Sequence, residues 1–217
     1  AKNTDLEKRI TADMQKIFVD LFMGPNLEKL AGPDAAGLYD EFSELIPQGE
    51  EGHKISERLA GRLLDTELLD KAAALLRRLL NGGLQGIDAY RVAVKLAAIE
   101  LLDGQSVSAL GTLGKAQEIL ATLPEELRTP ERSRELVLLR ARAFSEERRP
   151  DQALELLRAL PLMPDVNRLR ADIAWHAGYW DDAAQALGDV IMDEDMVLTR
   201  PLPPEHAALL LQRAVAL

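Results

Sequence analysis

One spacing occurs four times in this chain: an alanine, a second alanine twelve residues later, and a leucine four residues after that. The copies are Ala60/Ala72/Leu76, Ala97/Ala109/Leu113, Ala141/Ala153/Leu157 and Ala171/Ala183/Leu187. Small residues at fixed offsets across two helical stretches indicate places where neighbouring helices approach each other closely. The spacing therefore predicts a stack of antiparallel helix pairs, which is an α-solenoid.

The composition favours the same all-α fold. Apolar residues make up 47% of the chain but aromatic residues only 4%, and most of the apolar residues are leucine and alanine, which are strong helix formers. There is no cysteine, so disulfides and thiolate metal sites are excluded, and both a cytoplasmic and a periplasmic location are allowed. No apolar run has the length of a membrane-spanning helix, so we expect no membrane insertion by this segment.

The charge of the chain argues against nucleic acid as a partner. The net charge is −10, with 12 acids and 7 bases in residues 1–60, 13 and 14 in residues 61–150, and 11 and 5 in residues 151–217. Phosphate binding needs a basic surface. The arginine-rich stretch from Arg128 to Arg149 is interpreted as solvated helix faces, in which arginines pair with nearby glutamates at helical spacing.

The first 52 residues lack the repeated spacing and are predicted to form an N-terminal helical cap or junction. A first helix is expected from about Asp5 to Met23, because Gly24-Pro25 follows it, and a second from about Asp34 to Ile46. The first helix carries one apolar stripe, made of Leu6, Ile10, Met14, Ile17, Phe18 and Leu21.

Residues 53–217 are predicted to hold four helix pairs and the first helix of a fifth. Glycines and prolines divide them into 54–65 with 68–80, 88–102 with 106–122, 131–147 with 151–160, and 165–177 with 181–192, followed by 205–217. In the last helix an apolar face has no partner within the chain: Leu209, Leu210, Val215 and Leu217. We therefore expect either a piece of a longer protein or self-association through this helix.

These offsets resemble those of tetratricopeptide repeats. That family packs a small residue in helix A, an alanine twelve positions later in helix B and a large apolar residue four positions beyond; the run from Gly178 to Ala183 is similar to its turn into helix B. The resemblance covers about residues 54–217 and implies a right-handed solenoid. The family's Trp and Tyr of helix A are absent from most units, and the second alanines lie 37, 44 and 30 residues apart instead of keeping one period. The whole chain also resembles segments of large bacterial repeat proteins without an assigned function.

Motifs for catalysis, metals or phosphates are not found. The three histidines follow no metal-binding pattern, no serine stands in a GxSxG elbow, and the glycines at Gly82, Gly83 and Gly86 lack the lysine and strand of a phosphate loop. Acid pairs such as Asp181-Asp182 stand at helix starts, where they complement the helix dipole. We expect a protein that is not an enzyme and has no cofactor.

The resemblance also implies a binding face, because the family's A helices line the concave side of the stack. By analogy, the exposed positions lie one, four and five residues after the first small residue, which here are Arg142, Ser145, Glu146, Asp172, Trp175 and His176. They predict a site for a protein or peptide partner, since aromatic and arginine residues dominate binding hot spots.

Several alternatives remain open at this point. Trp175 fits core packing as well as binding, and Trp180 is interpreted as structural. The first helix could fold back onto the apolar residues Ala98, Leu101 and Leu102 of the second helix pair. The alternative function is a ligand- or peptide-sensing regulatory domain, and an enzyme fragment is a third possibility.

Overall fold

The structure is a computed structural model that describes residues 5–193 and 204–217. Within these ranges the chain forms eleven α-helices and three 3-10 turns, with no β-strand, so the predicted all-α fold is confirmed. The helices are α1 (Asp5–Met23), α2 (Gly32–Glu41), α3 (Glu50–Asp65), α4 (Leu69–Asn81), α5 (Gly86–Leu102), α6 (Ser106–Thr122), α7 (Pro130–Glu146), α8 (Pro150–Arg158), α9 (Pro164–Ala177), α10 (Trp180–Asp193) and α11 (Pro204–Ala216). The 3-10 turns are Leu27–Lys29, Ser43–Leu45 and Glu125–Leu127.

Proline and glycine set most of these boundaries. Pro130, Pro150 and Pro164 each occupy the first turn of a helix, where the missing amide hydrogen costs nothing. Gly178 follows α9 in the left-handed conformation that ends many helices. The predicted helices of residues 53–217 are therefore found within a few residues of their expected ends.

The described residues form two compact units. One extends to Asp103 and includes Glu118–Thr122, and the other is built from Gly104–Gln117 and the described residues from Leu123 onward. In the first unit α4 packs against both α3 and α5, and α1 and α2 contact α3. In the second unit α8 contacts both α7 and α9, while α10 contacts both α9 and α11. The division predicted at residue 52 remains a prediction.

All twelve residues of the repeated spacing are buried. None of these alanines and leucines is more than 5% exposed, and Ala60, Ala72, Leu76, Ala141 and Ala153 are fully enclosed. A side chain larger than alanine at such a position would have to displace a neighbouring helix. The recurring pattern in the sequence therefore marks recurring positions in the core.

The turn between the two helices of each pair is repeated as well. Seven residues after each first alanine stands a residue in the left-handed conformation: Glu67 (φ 60°), Gly104 (φ 70°), Arg148 (φ 58°) and Gly178 (φ 74°). In three copies the next amide donates to the carbonyl five residues back, in the bonds Leu68–Leu63 (2.9 Å), Arg149–Phe144 (2.8 Å) and Tyr179–Ala174 (2.9 Å). This is the hydrogen bond of a Schellman helix end. The second alanine then donates to the carbonyl four residues back in all four copies.

The opening helices are held by different contacts. Phe22 is fully buried and lies against Phe18 and Tyr39, with ring centroids 4.5 Å and 5.8 Å away. Arg62 donates twice to the carbonyl of Leu30, through Nε at 3.2 Å and Nη2 at 2.7 Å. Arg58 donates in the same way to the carbonyls of Met23 and Gly24 at the end of α1. Guanidinium groups here satisfy carbonyls that have no partner within their own helix or turn.

The first helix is not covered along its whole apolar stripe. Phe18 is buried and Leu21 is half-buried, but Leu6, Ile10, Met14 and Ile17 are exposed. The hypothesis that this stripe fills a groove at Ala98, Leu101 and Leu102 is therefore wrong for its first half. The reason is that α1 packs on α3 and the neighbouring 3-10 turns through its C-terminal end.

The second helix ends earlier than predicted. It stops at Glu41, and a 3-10 turn over Ser43–Leu45 replaces the expected continuation to Ile46. Asp34 lies in the first turn, whereas Ala31 occupies the N-cap position without a side-chain hydrogen bond. The turn still buries Leu45, so the apolar pattern is satisfied by a different backbone.

Candidate functional site

A groove of about 790 Å³ lies in the second unit, on α7 and α9. Three of its lining residues come from α7, namely Arg142, Ser145 and Glu146. Six come from α9, namely Pro164, Asp165, Arg168, Leu169, Asp172 and Ile173. The two helices contact each other directly and also share contacts with α8, which keeps the lining residues at fixed separations.

Four of the six predicted site residues line this groove. Arg142, Ser145 and Glu146 follow Ala141 by one, four and five residues, and Asp172 follows Ala171 by one. Buried alanines in both helices turn these positions outward, because Ala141 and Ala171 face the core. The structure thus brings residues thirty positions apart in the sequence into one surface. Their role in binding a partner remains a prediction.

Trp175 does not line the groove. It is half-buried and packs against the core residues Ala171, Ala186 and Leu187. Its ring meets Trp180 edge to face, with the centroids 5.4 Å apart, and Trp180 is 50% exposed. This is the geometry that aromatic pairs prefer. The contacts of Trp175 are therefore those expected if it packs against the core.

His176 also lies outside the groove lining, but it contacts a residue that belongs to it. Its Nδ1 atom is 2.8 Å from the carbonyl oxygen of Asp172 and 3.2 Å from the Oδ1 atom of the same residue. Both side chains are exposed. His176 is thus a neighbour of the Asp172 carboxylate.

The groove carries both signs of charge, and several of its polar groups are engaged within the unit. Asp165 accepts from Arg134 at 3.3 Å, and Glu146 accepts from the hydroxyl of Ser106 at 2.7 Å. Among the described residues, Arg142 has no ion-pair partner and is exposed. An acidic group of a partner can therefore form an ion pair with Arg142 without breaking an ion pair inside the protein.

The inner part of the groove is apolar. Leu169 and Ile173 line it and are themselves almost completely buried. With polar residues around them, the surface can take a side chain of mixed character and bind it by contact and by hydrogen bonds. Catalysis would need a nucleophile or an acid–base pair with its own orienting partner.

Five of the lining residues were missed by sequence reasoning, namely Pro164, Asp165, Arg168, Leu169 and Ile173. Asp165, Arg168, Leu169 and Asp172 stand at helical intervals of three and four, so one face of α9 presents them together. Extending the predicted face by two turns toward the start of α9 would have found all of them except Ile173, which directly follows Asp172. The family analogy did not reach that far.

The described residues hold no group of three or more histidines and carboxylates that could bind a metal ion, although the side chain of His206 lies outside the described part. Among the helices that are described, none combines the length and the apolar character needed to cross a bilayer. These findings concern those residues alone.

The last helix is only partly covered. Leu209 and Leu210 are half-buried, and Leu209 packs against the cluster of Ala171, Ala186 and Leu187. Val215 and Leu217 are exposed. The predicted apolar face at Leu209, Leu210, Val215 and Leu217 is therefore split, with its first half used by α10. Self-association through its second half remains a prediction.

No protein-family model matches this chain, and no curated protein or solved structure is significantly similar to it. The similarity of the four predicted helix pairs to one another is therefore seen only within this chain. Their buried positions and their turns are the evidence from which we argue a function.

Proposed function

We propose that this protein is a non-catalytic scaffold for protein–protein interaction, built as a right-handed, tetratricopeptide-like α-solenoid of antiparallel helix pairs, in which the groove on α7 and α9 holds a segment of a partner protein. The observation that carries the proposal is the groove itself. It gathers Arg142, Ser145, Glu146 and Asp172, which family analogy selects as binding positions from their offsets alone.

Two features support the solenoid. The turn with a left-handed residue recurs seven residues after each first alanine, so the four predicted pairs share one local turn conformation. In addition, α8 contacts both α7 and α9, and α7 contacts α9. Contacts between elements one and two places apart are those of stacked helix pairs.

The character of the groove supports a peptide as its occupant. A volume of about 790 Å³ exceeds what one side chain needs, and the lining alternates charged groups with the apolar surface of Leu169 and Ile173. A peptide offers backbone hydrogen-bonding groups along with side chains of both kinds. The exposed Arg142 would pair with an acidic residue or a terminal carboxylate of that peptide.

A second candidate is a regulatory domain that senses a small ligand or peptide. The groove volume supports it, since 790 Å³ lies within the range of about 300–1,000 Å³ that is usual for small-molecule sites. A sensor would show a ligand-dependent rise in melting temperature, whereas a scaffold would not respond to metabolites. Thermal shift against a metabolite panel therefore separates the two.

The test is affinity capture from a lysate of the source cell, with three variants beside the parent chain. Arg142→Glu and Asp172→Lys each reverse a charge of the groove, while Arg128→Glu reverses a charge that does not line it. All variants are first compared by melting temperature. We expect a partner that the parent and Arg128→Glu retain and that at least one groove variant loses.

Two outcomes would contradict the proposal. A partner held equally by the parent and by both groove variants would place binding elsewhere on the surface. Failure of every form to capture a protein, together with a metabolite-dependent melting shift, would favour the sensing domain. Trp175→Ala is left out of the test because it would remove a core contact as well as a surface group.

A further inference from the structure

The first half of α1 projects a bare apolar surface. Residues 6–14 are all exposed, and burial begins only at Phe18 and Phe22. On this stretch and just after it stand four large aliphatic side chains, of which Leu6 is 66% and Ile17 is 68% exposed. An isolated stretch of helix this short is marginal in water. A partner that covers the apolar side chains would stabilize this half of the helix.

The four side chains form a single narrow stripe. At about 100° per residue, Leu6, Ile17, Ile10 and Met14 fall within an arc of about 80° on the helix surface. With a rise of about 1.5 Å per residue, the stripe runs for about 16 Å. That is the form of a helix–helix seam and not of a pocket for a small ligand.

The polar edge beside the stripe alternates in sign. Arg9, Asp13, Lys16 and Asp20 follow one another at intervals of three and four residues, along the same side of the helix. Among the described residues Arg9 and Asp13 have no ion-pair partner, and both are exposed. Residues 6–20 hold three acids and three bases, which gives no net positive charge to attract an anionic lipid surface.

This arrangement is complementary to itself when the direction of the helix is reversed. If two α1 helices cross antiparallel about a twofold axis near residue 12, Ile10 faces Met14 of the other copy and Leu6 faces Ile17. In an antiparallel pair the same edge of each helix meets its equivalent, so Arg9 faces Asp13 of the other copy, twice over. In a parallel pair this edge would meet the opposite edge of the second helix, and Arg9 and Asp13 would lie apart.

From this self-complementarity we infer that the exposed half of α1 is a homodimerization surface, on which a second copy of this chain docks antiparallel through Leu6, Ile10, Met14 and Ile17, with Arg9 of each copy paired to Asp13 of the other. The interface is isologous and therefore closes at two copies. It shares no residue with the groove on α7 and α9.

The first experiment measures the mass of the protein by sedimentation equilibrium over a range of concentrations. We expect a dimer for the parent, a monomer for Ile10→Asp, and a dimer for Ala12→Asp, which adds the same charge on the opposite side of the helix. Circular dichroism of each variant reports whether the rest of the fold is intact. A parent that is monomeric throughout the range would overturn the inference.

The second experiment tests the pairing by charge reversal. Arg9→Asp places two aspartates together across the interface, and Asp13→Arg places two arginines together, so each variant alone should dimerize about tenfold more weakly. An equal mixture restores an opposite-charge arrangement at both contacts of a heterodimer, because one contact pairs the two introduced side chains and the other pairs the two original ones. The original side chains are Asp13 of the first variant and Arg9 of the second. In the antiparallel geometry, like charges face each other only in the two homodimers.

Position 9 of one copy faces position 13 of the other, so the aspartate introduced at position 9 faces the arginine introduced at position 13, and the unchanged Asp13 faces the unchanged Arg9. We expect the mixture to dimerize like the parent. A mixture that stays as weak as its components would contradict the antiparallel pairing.

The absence of cysteine allows a third, independent measurement of direction. Ile10→Cys and Met14→Cys should form a disulfide with each other when the two proteins are mixed and oxidized, and much less with themselves. Preferential self-linkage of each would show a parallel pair and overturn the geometry. A dimer that survives Ile10→Asp but is lost with Val215→Asp would place the interface on α11 instead.

Discussion

The opening helices and the repeated pairs solve the same packing problem with opposite kinds of residue. Around α1 and α2 the core is made of Phe18, Phe22 and Tyr39, and arginines of α3 bond to the free carbonyls of the loops. In the pairs the core positions are alanine and leucine, and the turns bond to themselves. Large rings fill the space between irregular elements, whereas the repeated helices bury alanines and leucines at fixed positions.

The largest effect is expected where the opening segment loses a ring. Phe22→Ala removes a fully buried side chain from the centre of the aromatic group, and we expect a loss of about 3–5 kcal/mol in the free energy of unfolding. Phe42→Ala, at a half-buried position nearby, should cost less. Urea denaturation followed by circular dichroism measures both. Equal costs would mean that the aromatic group does not anchor the segment.

The repeated pairs should be destabilized by added side-chain volume, whereas the opening segment is destabilized by its loss. Ala72→Leu forces three extra carbons into a position that is completely enclosed, which we expect to cost about 1–3 kcal/mol. Ala74→Leu, two residues along the same helix and exposed, is the matched control and should change stability little. If both variants unfold at the same urea concentration, close approach at the alanine is not what the repeat requires.

Removing a guanidinium from the opening segment should cost somewhat less. Arg62→Ala leaves the carbonyl of Leu30 without the two hydrogen bonds that it now accepts, with an expected loss of about 1–2 kcal/mol. Arg78→Ala breaks an exposed ion pair with Asp40 at 3.4 Å and should cost at most about 1 kcal/mol. If Arg78→Ala lowers the free energy of unfolding as much as Arg62→Ala does, the bonds from Arg62 to the carbonyl of Leu30 are not what holds the opening segment.

Substitutions in the repeated turn should raise or lower the free energy of unfolding by small amounts. Arg148→Gly relieves a left-handed conformation that glycine adopts freely, so we expect a gain of up to about 1 kcal/mol, while Gly178→Ala should lose about 1 kcal/mol. Glu67→Gly provides a second copy of the first change. Thermal unfolding of the three variants measures the differences. Destabilization by Arg148→Gly would show that the arginine contributes more through its side chain than it costs in its backbone.

The smallest effect concerns the hydroxyl of Tyr179, which donates to Asp151 at 3.0 Å. This bond to a carboxylate raises the pKa of Tyr179 above its ordinary value, because it favours the protonated phenol. Asp151→Asn should lower that pKa, as seen by absorbance at alkaline pH. Since the folded pKa is raised, the stabilization is present below the unfolded pKa and is lost as pH rises through the folded pKa.

The sequence predicted the repeated part well because its signals are local. A proline or a glycine punctuates most of the helices after residue 52, and the alanine spacing marks the faces that pack. The opening segment was predicted less well because propensity does not distinguish a continued helix from the 3-10 turn at Ser43–Leu45. There the burial of Leu45 decides the backbone, and burial depends on the whole unit.

The candidate site was predicted by position but not by its partners. Offsets from the alanines selected Arg142, Ser145, Glu146 and Asp172 for one surface, yet the bonds of Arg134 to Asp165 and of Ser106 to Glu146 join residues 31 and 40 positions apart. Pairing over such distances follows from helix packing and has no signature along the chain. The same holds for Glu100, which is fully buried and paired with Arg77 at 2.7 Å.

The left-handed turns also divide the chain into stretches that can change length and stretches that cannot. From the first alanine to the second the count is always twelve, whereas the intervals from one second alanine to the next are 37, 44 and 30 residues. The differences lie in the second helices, since α4, α6 and α8 have 13, 17 and 9 residues, in the start of the helix that follows, and in the connections after each second helix, such as the one at Gly82-Gly83. Those connections are where a tag, a fluorophore site or a whole inserted domain can be introduced without disturbing the pairs.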